Sequence, residues 1–198
     1  MPLAVSDPVT PLTTWKLERA VATPQACFAT LDTAASFAQM PDLEASDDCH
    51  IRGRLDLSGV AGAAVAPLET RCAIALRMAM WATHDLAPKA QALFGAELTR
   101  IDQIGSYNCR RIRTTSGASN RWSTHATADA IDITGFRLSD GTQMRLIDDW
   151  DDGGAKGDFL RAARDSACDW FRLTLSPDYN SLHADHFHLQ SRGWGLCR

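Results

Sequence analysis

Residues 122–138 carry the sequence WSTHATADAIDITGFRL, in which a short polar segment passes directly into a β-branched one. The second half, residues 130–136, favours a β-strand. His125 and Asp132 stand seven residues apart. An odd separation within one strand would point the two side chains to opposite faces of a sheet. We therefore predict a loop that delivers His125, followed by a strand that delivers Asp132.

A second polar cluster lies near the C-terminus, in the segment HADHFHLQ at residues 183–190. We predict a short strand there, on which His186 and His188 share one face and can approach a single ion. Asp185 adds a carboxylate beside them. Two histidines, one aspartate and an open fourth position are typical of a hydrolytic zinc site. The alternative is a surface cluster of polar residues that binds no metal.

Outside these two segments, hydrophobic periodicity predicts helices on one side of a sheet. The longest helical pattern is interrupted by Pro88, which we expect to bend or end the helix. The Asp140-Gly141 turn predicts a hairpin, and a polar loop is expected at residues 113–121. Further helices and strands are predicted at these positions: helices 26–39, 70–94 and 158–175, and strands 50–57, 97–107 and 141–150. The predicted fold is α+β: a small antiparallel sheet carries the zinc site, helices flank it, and disulfides stabilise it.

The length of 198 residues suits a single globular domain. Four prolines within the first 24 residues favour an extended lead-in over residues 1–25. We expect one domain over residues 26–198, with an N-terminal subregion at 26–69 and the catalytic core at 70–198.

Composition excludes several classes of protein. With 45% hydrophobic residues and a formal net charge of −4, the chain is not a low-complexity disordered protein. The acidic balance and the lack of a basic stripe argue against nucleic-acid binding. No apolar run is long enough for a transmembrane segment. The oligomeric state is left open.

Six cysteines are spread along the chain without a C-x-x-C pair, which favours up to three disulfides over a zinc ribbon. The sequence does not select the pairing, and reduced buried thiols are the alternative. Disulfides indicate an oxidising compartment, so we expect a periplasmic or otherwise exported protein. Residues 1–19 do not resemble a secretory signal, and we expect the leader to be absent from this chain.

The two polar segments resemble known motifs. Residues 123–132, STHATADAID, resemble the S-x-H-x-x-G-x-A-x-D motif of the LAS zinc peptidases, which include D-Ala-D-Ala carboxypeptidases and relatives of lysostaphin and hedgehog domains. HADHFHL resembles their second motif. More closely, the segments SYNCRRI, STHATADAIDITGF, DWDDGG, DYNSLHADHFHLQ and RGWGLCR together resemble the bacterial extensin-like C-terminal domain, over roughly residues 25–198. The motif glycine is replaced by Ala128, which would be strained if that position requires a positive φ.

The resemblance implies roles for nine residues. It implies His125, Asp132 and His188 as zinc ligands, and Asp185 as the base that activates the attacking water. It implies that Arg110 reaches the scissile carbonyl or its oxyanion, and that His186 lies beside the ligands or contacts the transition state. The residues expected to line the substrate cleft are Ser123, His183 and Trp122.

Two functions follow from this resemblance. The first is a zinc-dependent peptidase that hydrolyses an amide bond in the stem peptides or cross-links of peptidoglycan, as an endopeptidase or a carboxypeptidase. The second is a catalytically inactive, zinc-stabilised module that binds cell-wall peptides or a protein. An intact Asp185 favours the enzyme, whereas Ala128 favours the binder. A structural extensin-type polymer is excluded because the chain lacks proline-rich repeats.

Overall fold

The computed structural model describes residues 2–198. The helices are α1 Thr13–Ala20, α2 Pro24–Leu31, α3 Cys72–Trp81, α4 Ala87–Phe94, α5 Leu146–Asp149 and α6 Ala155–Trp170. The strands are β1 Ala35–Gln39, β2 Leu43–Glu44, β3 His50–Ile51, β4 Arg54–Val60, β5 Ala63–Arg71, β6 Leu98–Gly105, β7 Arg111–Thr114, β8 Gly117–Trp122, β9 Ala130–Leu138, β10 Gln143–Arg145, β11 Leu173–Leu175, β12 Phe187–Gln190 and β13 Leu196–Cys197.

The central sheet confirms the predicted α+β class but is larger than expected. Among the described residues it has nine strands in the order β1-β4-β5-β6-β9-β12-β11-β13, with β10 paired to β9. Most pairs are antiparallel, but β5 pairs with β6 and β11 with β13 in parallel. The sheet is therefore mixed rather than purely antiparallel. Parallel neighbours need a long connection, and α3 and α4 provide it between β5 and β6.

The two faces of the sheet differ in character. On β9, Ile131 and Ile133 belong to the apolar core, whereas Asp132 between them lies on the opposite face. Helix α3 packs against the core face, and its Trp81 ring lies edge-on to Phe136 with the ring centroids 5.8 Å apart. The helices therefore bury one face of the sheet, and the other face is left for the polar site.

The prediction of an extended lead-in over residues 1–25 is wrong. Helix α1 lies within this range, and its Leu17 is fully buried. The buried Arg77 donates to Glu18 Oε1 at 2.9 Å, so that an ion pair also fixes α1 to α3. The prolines did not reveal this because all of them lie outside the helix, where they do not interrupt its hydrogen bonds.

The helix predicted at residues 26–39 is correct only in its first part. The Thr23 hydroxyl accepts the Ala26 N–H and Pro24 occupies the first turn, so α2 begins slightly earlier than expected. The chain then enters β1, which pairs with β4. Pairing with a distant strand decides the structure of these residues, and the local hydrophobic pattern does not report it.

Several other predicted helices, strands and loops differ in part from the structure. The helix at 70–94 is confirmed and interrupted, with a π-helical turn at Ala82–Leu86 just before Pro88. The polar loop at 113–121 is instead the hairpin β7–β8. Four more predictions are corrected. Residues 141–150 form β10 followed by α5, and residues 158–175 form α6 followed by β11. Residues 50–57 form β3 and most of β4, and within residues 183–190 strand β12 begins only at Phe187.

All six cysteines form disulfides, as the even count and wide spacing predict: Cys27–Cys72, Cys49–Cys109 and Cys168–Cys197. They close segments of 45, 60 and 29 residues, and loop-closure entropy gives about 4 kcal/mol for each as an upper value. No helix within residues 2–198 is long and apolar enough to cross a membrane.

Candidate metal centre

Three predicted ligands converge on the polar face of the sheet. His125 comes from a short 3-10 turn, Thr124–Thr127, Asp132 from β9 and His188 from β12. His188 stands directly opposite Asp132 in the antiparallel pair of β12 and β9. One candidate ligand atom of each residue lies within 4.8 Å of the others. The turn before the strand thus places His125 beside Asp132, as the odd spacing of the two residues required.

The orientation of the His125 ring is fixed by the backbone. Its Nδ1 donates to the carbonyl oxygen of Ser106 at 2.9 Å, which leaves the lone pair of Nε2 facing the cluster. Nε2 lies 3.2 Å from both Asp132 Oδ2 and His188 Nδ1. The Ser106 hydroxyl in turn donates to the Ala130 carbonyl at 2.7 Å. Ser106 is the first residue of the segment SYNCRRI, but no role is predicted for it from the sequence, because its partners lie on other elements.

The protonation states in the cluster suit a cation. Burial alone would raise the pKa of Asp132, but the imidazoles of His125 and His188, which lie 3.2 and 2.9 Å from its carboxylate oxygens, hold it far below its usual range. Burial lowers the pKa of His188, although its 2.9 Å contact with Asp132 acts in the opposite direction. The Asp132 carboxyl is therefore ionised at neutral pH, and burial favours the neutral form of the His188 imidazole.

Local backbone geometry shapes the turn that carries His125. The buried Ser123 caps the turn, because its hydroxyl accepts the His125 N–H at 3.3 Å. Ala128 ends the turn in the left-handed region with φ 49° and ψ 30°. The replacement of the motif glycine therefore does place a Cβ where glycine is favoured, at a strain of about 1–2 kcal/mol.

A buried carboxylate that the sequence analysis missed holds the turn to the rest of the sheet. Asp129 accepts from Arg71 Nη1 at 2.5 Å, Thr127 Oγ1 at 2.7 Å and Ser191 Oγ at 2.8 Å, and Arg192 Nε lies 3.3 Å away. Its side chain is only 6% exposed. Asp129 therefore connects the turn that carries His125 with the residues that follow β12.

Asp185 and His186 lie at the edge of the cluster. His186 Nδ1 donates to Asp185 Oδ1 at 2.7 Å, and His186 Nε2 lies 3.6 Å from Asp132 Oδ1. His186 precedes β12, and the group of converging ligand atoms contains His188 rather than His186. The Asp185 side chain is 56% exposed and borders a cleft of about 430 Å³ that Ile104 and Ile147 also line. His186 thus links a solvent-facing carboxylate to the cluster.

A larger cavity of about 680 Å³ lies along β1 and β4, around Ser36 and Asp56. Its lining contains no member of the cluster. The smaller cleft also contains none of the three candidate ligands, and it adjoins the cluster through Asp185.

The structure also describes the other three predicted site residues, His183, Arg110 and Trp122. The His183 ring lies 5.8 Å from that of His188, and burial together with the neighbouring histidines lowers the pKa of His183 to about 4. The Arg110 carbonyl accepts the Ser123 N–H, and burial and Arg113 lower the pKa of Arg110 whereas the nearby Asp132 raises it. Trp122 stacks under the guanidinium of its neighbour on the hairpin, Arg111, at 4.1 Å.

The donor set fits a zinc ion. Zinc in catalytic sites takes three protein ligands drawn from imidazole and carboxylate groups and keeps one position open. His125 Nε2, His188 Nδ1 and one Asp132 oxygen form such a set on a partly open sheet face. His188 would bind through Nδ1 with its proton on Nε2, which lies 2.7 Å from the Gln190 amide nitrogen. Because that nitrogen is itself a donor, the Gln190 amide would then present its oxygen to Nε2 instead.

Comparison with known proteins gives one match. The family model described as Extensin-like protein C-terminus matches residues 25–198, a range that includes the cluster and all six cysteines. No curated protein and no solved structure matches the chain. The similarity to the extensin-like domain inferred from the sequence is thereby confirmed over the expected range, while the relationship to the LAS peptidases stays a prediction.

Proposed function

The chain belongs to the extensin-like protein C-terminus family, and on this premise we propose that it is a zinc-dependent peptidase of the LAS type. Its proposed substrate is an amide bond in the stem peptides or cross-links of peptidoglycan, and its proposed location is the periplasm or another exported compartment. The convergence of His125, Asp132 and His188 beside a solvent-facing Asp185 is the observation on which the proposal depends.

In this proposal His125, Asp132 and His188 hold the zinc ion. When bound, zinc supplies a Lewis acid that polarises a carbonyl and lowers the pKa of water to about 7. Asp185 accepts the proton of the attacking water on a carboxylate oxygen and passes it to the leaving amine. The His186 Nδ1–H contact of 2.7 Å orients that carboxylate.

The remaining residues bind and orient the peptide. Arg110 donates to the carbonyl oxygen as negative charge develops on it, because a cationic donor is worth most where charge appears in the transition state. His183 and Trp122 line the approach to the cluster. Ser123 acts on His125 through its capping hydrogen bond. Because Ser123 is buried, we assign it this positioning role rather than contact with the substrate.

The test uses purified cross-linked muropeptides followed by mass spectrometry. Wild-type protein loaded with zinc is expected to convert one species to defined products, and a chelator should stop this conversion. Asp185→Asn should retain zinc and lose turnover by at least about 100-fold, because general-base catalysis contributes about that much. His188→Ala should lose zinc as well. Full turnover by Asp185→Asn would refute the assignment of the base.

One observation favours a zinc-stabilised binding module instead. Ala128 occupies a left-handed position where the peptidase motif has glycine. A chain that no longer catalyses the reaction would tolerate this departure from the motif. A protein that binds zinc and stem peptides but leaves every cross-link type intact would support this alternative. Unchanged peptide binding in Asp185→Asn would not separate the two functions, so turnover is the deciding measurement.

A further inference from the structure

A hairpin beside the cluster carries an unusual charge distribution. Between Asp102 and Asp129 the chain has four arginines and no acidic residue, although its formal net charge is −4. The four arginines all lie in residues 110–122, which comprise Arg110 and the hairpin β7–β8. We call this segment the arginine hairpin. Its positive charge stands out in an acidic protein.

The arginines of this segment are free of carboxylate partners in the described part of the chain. Eleven arginines elsewhere form ion pairs with aspartate or glutamate. Outside the hairpin, only Arg19 and Arg198 among residues 2–198 do not. Within it, Arg111 lies over the Trp122 ring and donates to the Asn120 carbonyl, and Arg113 and Arg121 are exposed. Unpaired guanidinium groups are available for an external anion.

The base of the arginine hairpin is fixed to the candidate metal centre. The Cys49–Cys109 disulfide precedes it, and the Ser123 N–H donates to the Arg110 carbonyl at 3.0 Å. The Asn108 N–H donates to the His125 carbonyl at 3.0 Å. The backbone at the start of the hairpin is thus bonded directly to the turn that carries a ligand. A molecule held near this base would lie next to the cluster.

We propose that the arginine hairpin is a binding site for the free carboxylates of a peptide and presents that peptide to the cluster, with Arg113 and Arg121 as the residues that bind the charge. Guanidinium groups bind carboxylates through paired hydrogen bonds, which gives orientation as well as attraction. A strand of four residues such as β7 spans about 13 Å, the length of a short peptide. The inference rests on the proposed function only for the identity of the peptide.

The experiment measures peptide binding to chelator-treated protein, so that no turnover occurs. The probes are a synthetic stem pentapeptide with free carboxylates and the same peptide with those groups converted to carboxamides. Wild-type protein should bind the carboxylate form about tenfold more tightly. Arg113→Gln combined with Arg121→Gln should reduce this preference to below about threefold and leave the affinity for the carboxamide form unchanged. The matched control, Arg19→Gln with Arg198→Gln, removes the same charge elsewhere and should keep the preference.

Three results would overturn the inference. The first is equal affinity of the wild-type protein for the two peptides. The second is an equal loss of both affinities in the hairpin variant, which would indicate damage to the fold. The third is binding of heparin by the hairpin without any carboxylate preference among peptides, which would indicate a polyanion as the partner. Failure of the peptidase proposal is detected separately, by intact muropeptides, and does not change any of these binding results.

Discussion

Replacing Asp129 with asparagine tests the claim that a buried carboxylate holds the candidate metal centre together. The substitution keeps the size of the side chain and removes its charge. Asp129 is 6% exposed and contacts Arg71 at 2.5 Å and Arg192 at 3.3 Å. Two hydroxyl donors, Thr127 and Ser191, complete its hydrogen bonds. Asparagine keeps one acceptor oxygen, so it satisfies only part of this set.

The size of the effect follows from the exposure of the partners. Removing one member of a fully buried ion pair costs about 3–5 kcal/mol. The Arg71 and Arg192 side chains are 24% and 58% exposed, so water compensates part of that loss. We expect Asp129→Asn to lower the free energy of unfolding by about 2–3 kcal/mol. For a chain of this length the corresponding decrease in Tm is about 4–12 °C.

The measurement is thermal and urea unfolding of metal-free protein with its disulfides intact. Asp102→Asn is the matched control, because Asp102 also lies between two arginines, Arg100 at 2.7 Å and Arg137 at 2.9 Å. The Asp102 side chain is 24% exposed and its partners are more exposed still, so its loss should be at most about 1 kcal/mol. Equal losses in the two variants would refute the argument from burial. Asp129→Asn should also weaken zinc binding by about tenfold, since groups that orient ligands have effects of that size.

Three further predictions concern the turn, the hairpin and the histidine cluster. Ala128→Gly should change the free energy of unfolding by less than about 1 kcal/mol, because relief of strain is offset by the greater freedom of the unfolded chain. Ala128→Val should lower the free energy of unfolding by more than about 2 kcal/mol in the same assay, because the position is buried and has a positive φ. Replacing both Cys49 and Cys109 with alanine should lower stability by about 2–4 kcal/mol and increase hydrogen exchange at the base of the arginine hairpin, which an unchanged exchange pattern would contradict. In metal-free protein, burial holds the folded pKa of His183 at about 4, so the unfolded chain binds that proton first and stability should fall between pH 6.5 and 4. The part of the decrease due to His183 is about 1–2 kcal/mol after allowance for partial exposure. His183→Gln should remove this part and leave the part due to His188, whose pKa is also lowered.

Local sequence patterns predicted the elements that carry the site. The strand expected at residues 97–107 is β6, and the strand expected at 130–136 is β9. The interruption near Pro88 was visible because a proline within a helical pattern removes a hydrogen bond of the helix. The spacing of His125 and Asp132 favoured a turn followed by a strand, since the residues between them are not typical of a helix and one continuous strand would point the two side chains to opposite faces. Each of these inferences needs only neighbouring residues.

The elements that were missed depend on distant partners. Strand β5 contains alanines and a proline, and its strand conformation comes from pairing with β4 and β6. The hairpin β7–β8 was predicted as a loop because its residues are polar, and the contact of Arg111 with Trp122 joins its two strands. Strand propensity reports packing against neighbours more than any preference of the backbone, so such segments are not recognisable in isolation.

The difference between features set by neighbouring residues and features set by distant partners also applies within the candidate metal centre. The candidate ligands follow from a motif, but the orientation of the His125 ring follows from Ser106, and the position of its turn from Asp129, whose partners lie on separate elements. A metal ligand is useful only when its lone pair is directed at the ion, and the Ser106 carbonyl provides this for His125 by accepting the Nδ1 proton. Any variant that keeps His125, Asp132 and His188 but displaces β6 should therefore weaken the metal site. Asp132 and His188 are partners in one strand register, and the hydrogen bond of His125 to Ser106 adds the third group to the same face, so the polar face acts as a unit.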